Sequence, residues 1–441
     1  MSEHIDRRDF IFQGGSAALG ASALAGLAPL PPSMTRRDSP VVAVMGVNSR
    51  GNEDAKAFVR AGADVAYICD VDSRAVEKTV ADVSAMQPRR PKGITDFRHA
   101  LDDAAVDALV IAAPDHWHTP ATLLALQAGK HVYVEKPCGH DPHEGELLVE
   151  AQRRHGRVVQ MGTQQRSAPE SIELMHKIRE GVIGRAYFAR AWYANTRGSI
   201  GRGKPAPVPG WLDYELWQGP APRTPFRDNV IHYNWHWFHR WGTGEICNNG
   251  THEIDVCRWM LGADFPSKVT SSGGRYQFDD DWQFTDTQIA SFEFDGGATI
   301  SWEGRSCNGR PIEDRGRGAS IHGTDGTAVV DRAGYVIYDN RNREVARRIR
   351  GEEGNALDTR GAGDLTDLHA ANFLAAIRGE AEPAAPIAEG HKSVLLCHLG
   401  NIAQQTGTTL HCDPGSGRIV GNAEAVRLWS REYEPGWEPK V

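Results

Sequence analysis

Short, uninterrupted apolar runs alternate with amphipathic stretches through the first third of the chain. Val41-Val42-Ala43-Val44-Met45 is a β-branched run that ends at Gly46, and residues 51–61 then carry helical spacing. Residues 65–69 predict a second strand ending at Asp70, followed by a helix from Ser73 to about Met86 and another near 96–104. Residues 108–113 predict a strand, 119–129 a helix, 131–134 a strand, 142–155 a helix and 158–161 a further strand. Strands that are apolar throughout and separated by single helices belong to a parallel sheet covered on both faces. Right-handed crossovers then give a doubly wound Rossmann sheet over residues 40–163.

After residue 184 the pattern changes. Segments 186–193, 268–276, 287–294, 297–303 and 327–331 read as longer, partly alternating strands with few helices between them. They predict an α+β second domain, residues 164–441, with a large open, mainly antiparallel sheet. Residues 195–248 are rich in Trp, Pro, Gly and Asn. Helices return at 252–261, 364–378 and 389–406, the last two expected to pack back on the Rossmann domain.

A length of 441 residues accommodates two cores. The net charge of −8, with no basic stripe, argues against a nucleic-acid partner. The seven cysteines include no CxxC pair and mostly sit in apolar surroundings, which reads as reduced, buried thiols. Residues 1–39 stand apart. Arg7-Arg8, then Phe10 and the stretch GGSAALGASALAGLAPL, have the order of a twin-arginine signal followed by a Pro-rich linker. The run is too short and Gly-rich for a stable membrane span. The expectation is export through the twin-arginine machinery to the periplasm or beyond, with a cofactor loaded before export.

Candidate chemistry lies at the ends of the predicted strands. Gly46-Val47-Asn48-Ser49-Arg50-Gly51 approximates the dinucleotide fingerprint GxGxxG, with Asn48 in a glycine slot. Asparagine tolerates the left-handed region, so a tight turn is still allowed. The following helix N-terminus offers N–H groups to a pyrophosphate. Asp70, 24 residues after Gly46, is positioned to accept from ribose hydroxyls and to repel a 2′-phosphate. This favours NAD; Arg74 leaves NADP open, and Asp72 competes with Asp70 for the helix-cap role. Ala113, Pro114, Asp115, His116 and His118 after one strand, Glu135 and Lys136 after the next, and Gln164 after the last complete the expected cofactor set.

The combination of AAPDHWH, AGKHVYVEKP and a Gly-rich stretch ending in His252 resembles the glucose–fructose oxidoreductase/inositol dehydrogenase (Gfo/Idh/MocA) family from residue 40 onward. The resemblance implies NAD(P)-linked redox chemistry on sugars or cyclitols, with Lys136 and His252 as catalytic residues. Many relatives carry aspartate where this chain has Asn248, which can hydrogen-bond a substrate but cannot accept a proton. Asp255 either orients His252 or pairs with Arg258.

Trp235, His236, Asn248 and His252 are the expected substrate contacts, since aromatic faces suit the C–H faces of sugar rings. His232, His236 and His239 lack accompanying zinc-site motifs, so no metal is expected. Three functions fit. The first is a sugar or cyclitol oxidoreductase with a tightly bound cofactor. The second is a glycosidase that oxidises, eliminates, hydrates and re-reduces with no net redox change. The third is a non-enzymatic, sugar-sensing protein that keeps NAD. An open sheet that needs covering makes a homo-oligomer, a dimer or tetramer, the expectation.

Overall fold

The computed structural model describes residues 39–350 and 363–441, so the predicted signal segment lies outside the described residues. Residues Ser39–Val441 pack as one unit. Six parallel strands open the fold: β1 (Val41–Met45), β2 (Asp64–Cys69), β3 (Lys92–Ile94), β4 (Ala108–Ile111), β5 (His131–Val134) and β6 (Val159–Met161). Their order is β3-β2-β1-β4-β5-β6. The helices between them are α1 (Arg50–Arg60), α2 (Ser73–Ser84), α3 (Arg98–Leu101), α4 (Asp115–Gln127) and α5 (Pro142–His155). This is the predicted doubly wound sheet.

Two differences have local causes. The strand β3 has no apolar pattern because it is a largely exposed edge strand. Helix α4 starts at Asp115 rather than 119, with Pro114 in the cap position. Nearly all of its residues are buried, so no polar face marks where it begins.

The second part follows α6 (Pro169–Arg179). It is a ten-stranded sheet of β7 (Ala186–Ala194), β8 (Lys268–Gly274), β9 (Thr287–Phe294), β10 (Ala298–Arg305), β11 (Arg317–Gly323), β12 (Gly326–Val330), β13 (Gly334–Asp339), β14 (Glu344–Ile349), β15 (Leu410–Cys412) and β16 (Ile419–Val420). Its order is β14-β13-β12-β11-β7-β10-β9-β8-β15-β16, antiparallel except for the parallel pair β7–β10. Strand β11 (RGASIHG) is too poor in large apolar residues to be read from sequence. It becomes a buried strand by pairing with β7 and β12. Helix α7 (Tyr214–Gln218) and α8 (Gly244–Asn248) flank the aromatic-rich segment; α9 (Gly250–Leu261) and α11 (Ile387–Thr406) cover one face of the sheet. Trp302, Phe292 and Ile300 of the sheet form that core with Ile254, Leu395 and Leu399 of the helices.

The C-terminal helices return to the Rossmann sheet. On α10 (Gly363–Ile377), Phe373 packs edge-on against Phe58 and Tyr133. Ile387 and Val394 of α11 join the core of Leu148, Val159 and Met161. All seven cysteines are free, six of them buried.

Burial also sets the response to acid. His116 is held down to about 3 and His131, His369, His391 and His398 to about 4, in each case chiefly by desolvation of the imidazolium. The unfolded chain protonates these rings first, near the usual 6.5, so their stabilisation is complete above that pH and is lost as the pH falls toward 4. Asp54 and Asp141, raised by burial to about 8 and about 7, act in the opposite sense, binding protons first in the folded state. Above pH 6.5 the two acids dominate; below it five histidines oppose them. Stability is therefore expected to peak near pH 6.5 and to fall by several kcal/mol toward pH 4 at about 1.4 kcal/mol per net proton per pH unit. Urea midpoints across that range measure this, and a flat profile from 6.5 to 4.5 would contradict it.

Candidate active site

A cavity runs across the carboxyl ends of the parallel strands. Thr95 follows β3, Asp70 follows β2, Gly46 follows β1, Ala113 to Asp115 follow β4, and Glu135 and Lys136 follow β5; all line it. Strand order reverses between β1 and β4, which is where doubly wound sheets bind ligands.

The turn after β1 approximates a dinucleotide cradle. Gly46 has φ +83°, and its N–H donates to the carbonyl of Cys69 at 2.9 Å. Asn48 is not among the residues with positive φ, so the left-handed position expected for it belongs to Gly46 alone. Asn48, Ser49 and Arg50 line the cavity, and no side chain caps the N-terminus of α1, so its first N–H groups remain available to an anion. Gly51 does not line the cavity. It lets the helix approach the turn, since a Cβ there would lie 2.2 Å from the Gly46 carbonyl oxygen. Arg50 faces inward but pairs with Asp54 (2.8 Å) and Glu135 (3.1 Å).

Asp70 and Asp72 divide the roles left open by the sequence. Asp72 caps α2 through the Arg74 N–H (2.9 Å) and takes the Arg74 guanidinium at 2.8 Å. Asp70 lines the cavity, its carboxylate accepting from Val47 N–H (2.6 Å) and Asp72 N–H (2.9 Å). Burial raises its pKa and those two hydrogen bonds oppose the rise. Arg74 lies over the Trp211 ring at 3.5 Å, which stacks it away from a free role. The Gly46 cradle, the uncapped helix and Asp70 together fit a dinucleotide.

The β4 and β5 loops are locked together. His118 joins the carbonyls of Ala113 (2.8 Å) and Pro137 (2.5 Å) while lining the cavity. His116 does not line it, which corrects the sequence expectation. Its ring faces the carbonyls of Trp217 (2.9 Å) and Trp241 (3.3 Å), fully buried, and pins the aromatic segment to α4. Glu135 accepts from Arg50 and from Gln164 Nε2 (2.7 Å), so both acid and amide act as supports at the cavity wall. Asp115 accepts from Thr243 Oγ1 at 2.5 Å.

The second sheet brings the other half of the site to Lys136. Its Nζ donates to the backbone carbonyl of Asn248 (2.8 Å) and to Asn248 Oδ1 (3.2 Å). That carbonyl ends α8, where unpaired carbonyls favour a cation. Asn248 Nδ2 donates to Glu245 Oε1 (3.3 Å), and Glu245 is neutralised by Arg197 (2.7 Å). Burial lowers the Lys136 pKa against the pull of Glu135 and Asp115. His252, on α9, is buried and lines the cavity; desolvation first, then the charges of Arg332 and Lys136, hold it neutral.

Asp255 neither orients His252 nor pairs with Arg258, contrary to both sequence readings. It takes Arg166 at 2.7 and 2.8 Å and the Ser393 hydroxyl at 2.6 Å, while Arg258 pairs with Glu389. The aromatic segment splits. Trp235 stacks on His236 (3.6 Å) at the cavity wall, whereas Trp237 stacks on Trp282 (3.8 Å) in a core. His232 contacts Asp72 (2.9 Å), His236 contacts the Tyr233 carbonyl (2.6 Å) and His239 lies against Phe284. Among the described residues no group of three or more His, Cys, Asp or Glu side chains converges as a metal site. No helix among them is long and apolar enough to cross a membrane.

Tyr233, Trp217 and Arg332 also line the cavity and were not singled out from sequence. Asp331 to Gly334 has turn composition, but the direction of the Arg332 side chain depends on the sheet that carries it.

Comparison with known proteins places this geometry in a family. Residues 41–163 match the oxidoreductase family with an NAD-binding Rossmann fold (GFO_IDH_MocA), and residues 220–411 match its C-terminal alpha/beta domain. The chain belongs to the Gfo/Idh/MocA oxidoreductase family. It is 26% identical over 266 residues to inositol 2-dehydrogenase 2 of Saccharopolyspora erythraea, covering 59% of this chain and 65% of that protein. It is 30% identical over 158 residues to a glycosyl hydrolase family 109 protein of the same organism, 34% of each. The fold is shared with levoglucosan dehydrogenase solved with NADH and levoglucosan, at TM-score 0.66 and 19% identity over 85% of this chain and 99% of that one.

Proposed function

We propose that this protein is an NAD-dependent oxidoreductase acting on a hydroxyl of a sugar, glycoside or cyclitol. The observation that carries this reading is the convergence of Lys136 and His252 on the cavity that also holds the Gly46 turn and Asp70. A bound nicotinamide supplies the hydride acceptor or donor. The remaining chemistry belongs to the protein. Lys136 Nζ, already aimed by the end of α8, donates to the reacting oxygen and stabilises its developing negative charge. Neutral His252 takes the hydroxyl proton in oxidation and returns it in reduction. Trp235, at the cavity wall, offers aromatic surface to the sugar.

The cavity-lining carboxylate of Asp70, with Arg74 already paired to Asp72, favours NAD over NADP. The leader supports export by the twin-arginine route and therefore a cofactor retained within the protein. The open ten-stranded sheet supports a homo-oligomer, testable by light scattering. Denaturing the purified protein and measuring released nicotinamide tests retention; a protein that binds NAD only weakly would rule it out. A second reading, redox-neutral glycoside hydrolysis, draws support from the family 109 relative. Nitrophenyl glycosides and free sugars, tried without added NAD, separate the two.

Asn248 provides a further check. Asn248→Asp places a carboxylate beside Lys136 Nζ, where opposite charge favours the ammonium. The alkaline limb of kcat/KM is expected to move up by about one pH unit. An unmoved limb would show that Lys136 is not the group titrating there.

A further inference from the structure

One arginine lining the cavity has no ion-pair partner among the described residues. Arg332 lies between β12 and β13 and lines the cavity with His252, Lys136 and Asn248. Its support is built. Asp331 Oδ1 accepts from the N–H groups of Ala333 (2.8 Å) and Gly334 (3.2 Å), Asp331 Oδ2 accepts from Arg315 Nε (2.7 Å), and Gln165 Nε2 donates to the Asp331 carbonyl (3.0 Å). The neighbouring arginines are matched: Arg317 by Glu253 (2.6 and 2.9 Å), Arg50 by Glu135, Arg197 by Glu245. Arg332 makes no hydrogen bond or ion pair among the described residues. Burial, followed by repulsion from Arg317, pushes it down to about 9 against the pull of Glu253, so it remains charged at neutral pH with no carboxylate in contact with it among the described residues.

The carboxylates of the cavity wall are engaged elsewhere. Glu53 pairs with Lys56, Glu135 with Arg50, Asp115 accepts from Thr243, and Asp70 sits at the β2 end. A planar guanidinium held on a fixed turn is suited to bidentate recognition of a carboxylate brought in by a ligand. The dinucleotide pyrophosphate is the other anion in reach of this cavity, and the Gly46 turn and the uncapped α1 N-terminus are the groups suited to serve it. Arg332 and His252 line the same cavity, and the arginine's charge helps to hold the imidazole neutral.

We propose that Arg332 receives a carboxylate of the substrate, so that this site prefers a sugar acid, a uronic or aldonic acid free or as a glycoside, over a neutral sugar or cyclitol. This rests on reading the cavity as a sugar redox site. The test is calorimetric titration of the NADH-saturated protein with D-glucuronate, D-galacturonate and D-gluconate, and with D-glucose, D-galactose and myo-inositol. At least one acid is expected to bind about 100-fold tighter than its neutral counterpart, a charge-assisted hydrogen-bond effect. Arg332→Gln is expected to erase that ratio, and Arg332→Lys to keep part of it, with NADH affinity unchanged in both. NADH binding doubles as the check that each variant folds. Acids binding no tighter than neutral sugars would overturn the proposal. So would an Arg332→Gln variant that loses NADH affinity while keeping the acid preference, since that assigns the arginine to the dinucleotide. Wild-type protein that fails to bind NADH would instead overturn the redox reading itself, and the proposal with it.

Discussion

Lys136→Ala is expected to lower kcat/KM by about 100- to 1000-fold while leaving dinucleotide binding within a few-fold of wild type. The ammonium is half-buried, and its contacts are the Asn248 carbonyl at 2.8 Å and Asn248 Oδ1 at 3.2 Å, neither of them a charge. It therefore keeps donor capacity for a reacting oxygen and holds it in a low-dielectric setting, where a preorganised donor is worth most. Burial lowers its pKa, so it is a better proton donor than a surface lysine. Removing it also frees the carbonyl at the end of α8. A small loss of stability is expected from that and is separable by melting. Turnover unchanged in Lys136→Ala would remove this residue from the chemistry.

Gly46→Ala is expected to abolish cofactor retention and to destabilise the fold by about 2–4 kcal/mol. Two costs add. The residue sits at φ +83°, a region side chains disfavour. A Cβ would also lie 2.4 Å from Ala113 N and 2.5 Å from Ala113 Cα, backbone atoms of the β4 end that cannot step aside cheaply. The displacement falls on the two loops that form the cradle. Gly62→Ala is the control: its φ is +95°, but nothing lies within 4 Å of the added carbon. It should cost only about 1 kcal/mol and leave cofactor content intact. Nicotinamide content equal to wild type in a folded Gly46→Ala protein would contradict the cradle assignment.

The Rossmann half was legible because each of its main strands is an apolar run bounded by a turn signal. Buried parallel strands need no alternation, so period was not required to find them. Only β3 escaped, being a three-residue polar edge. The second sheet was read less completely. Strand β11 is buried by neighbours on both sides rather than by its own side chains, and β13 and β14 lie in a segment of mixed polarity.

For the site, local motif and strand end pointed to Gly46 and Asp70, whereas Lys136 and His252 were expected through the family resemblance. A turn and a strand end are set by neighbours along the chain, which is why the first two can be read locally. The sequence could not determine where long polar side chains go once the two sheets meet. His116 and His118 are two residues apart, yet one points into the cavity and the other pins Trp217 and Trp241. Asp255 lies on the helix of His252, yet its partners, Arg166 and Ser393, come from distant segments. Arg332 reaches the cavity only because β12 and β13 carry its turn there. Buried charges choose partners across the packed interface, where desolvation makes each pairing decisive. That choice belongs to the tertiary structure.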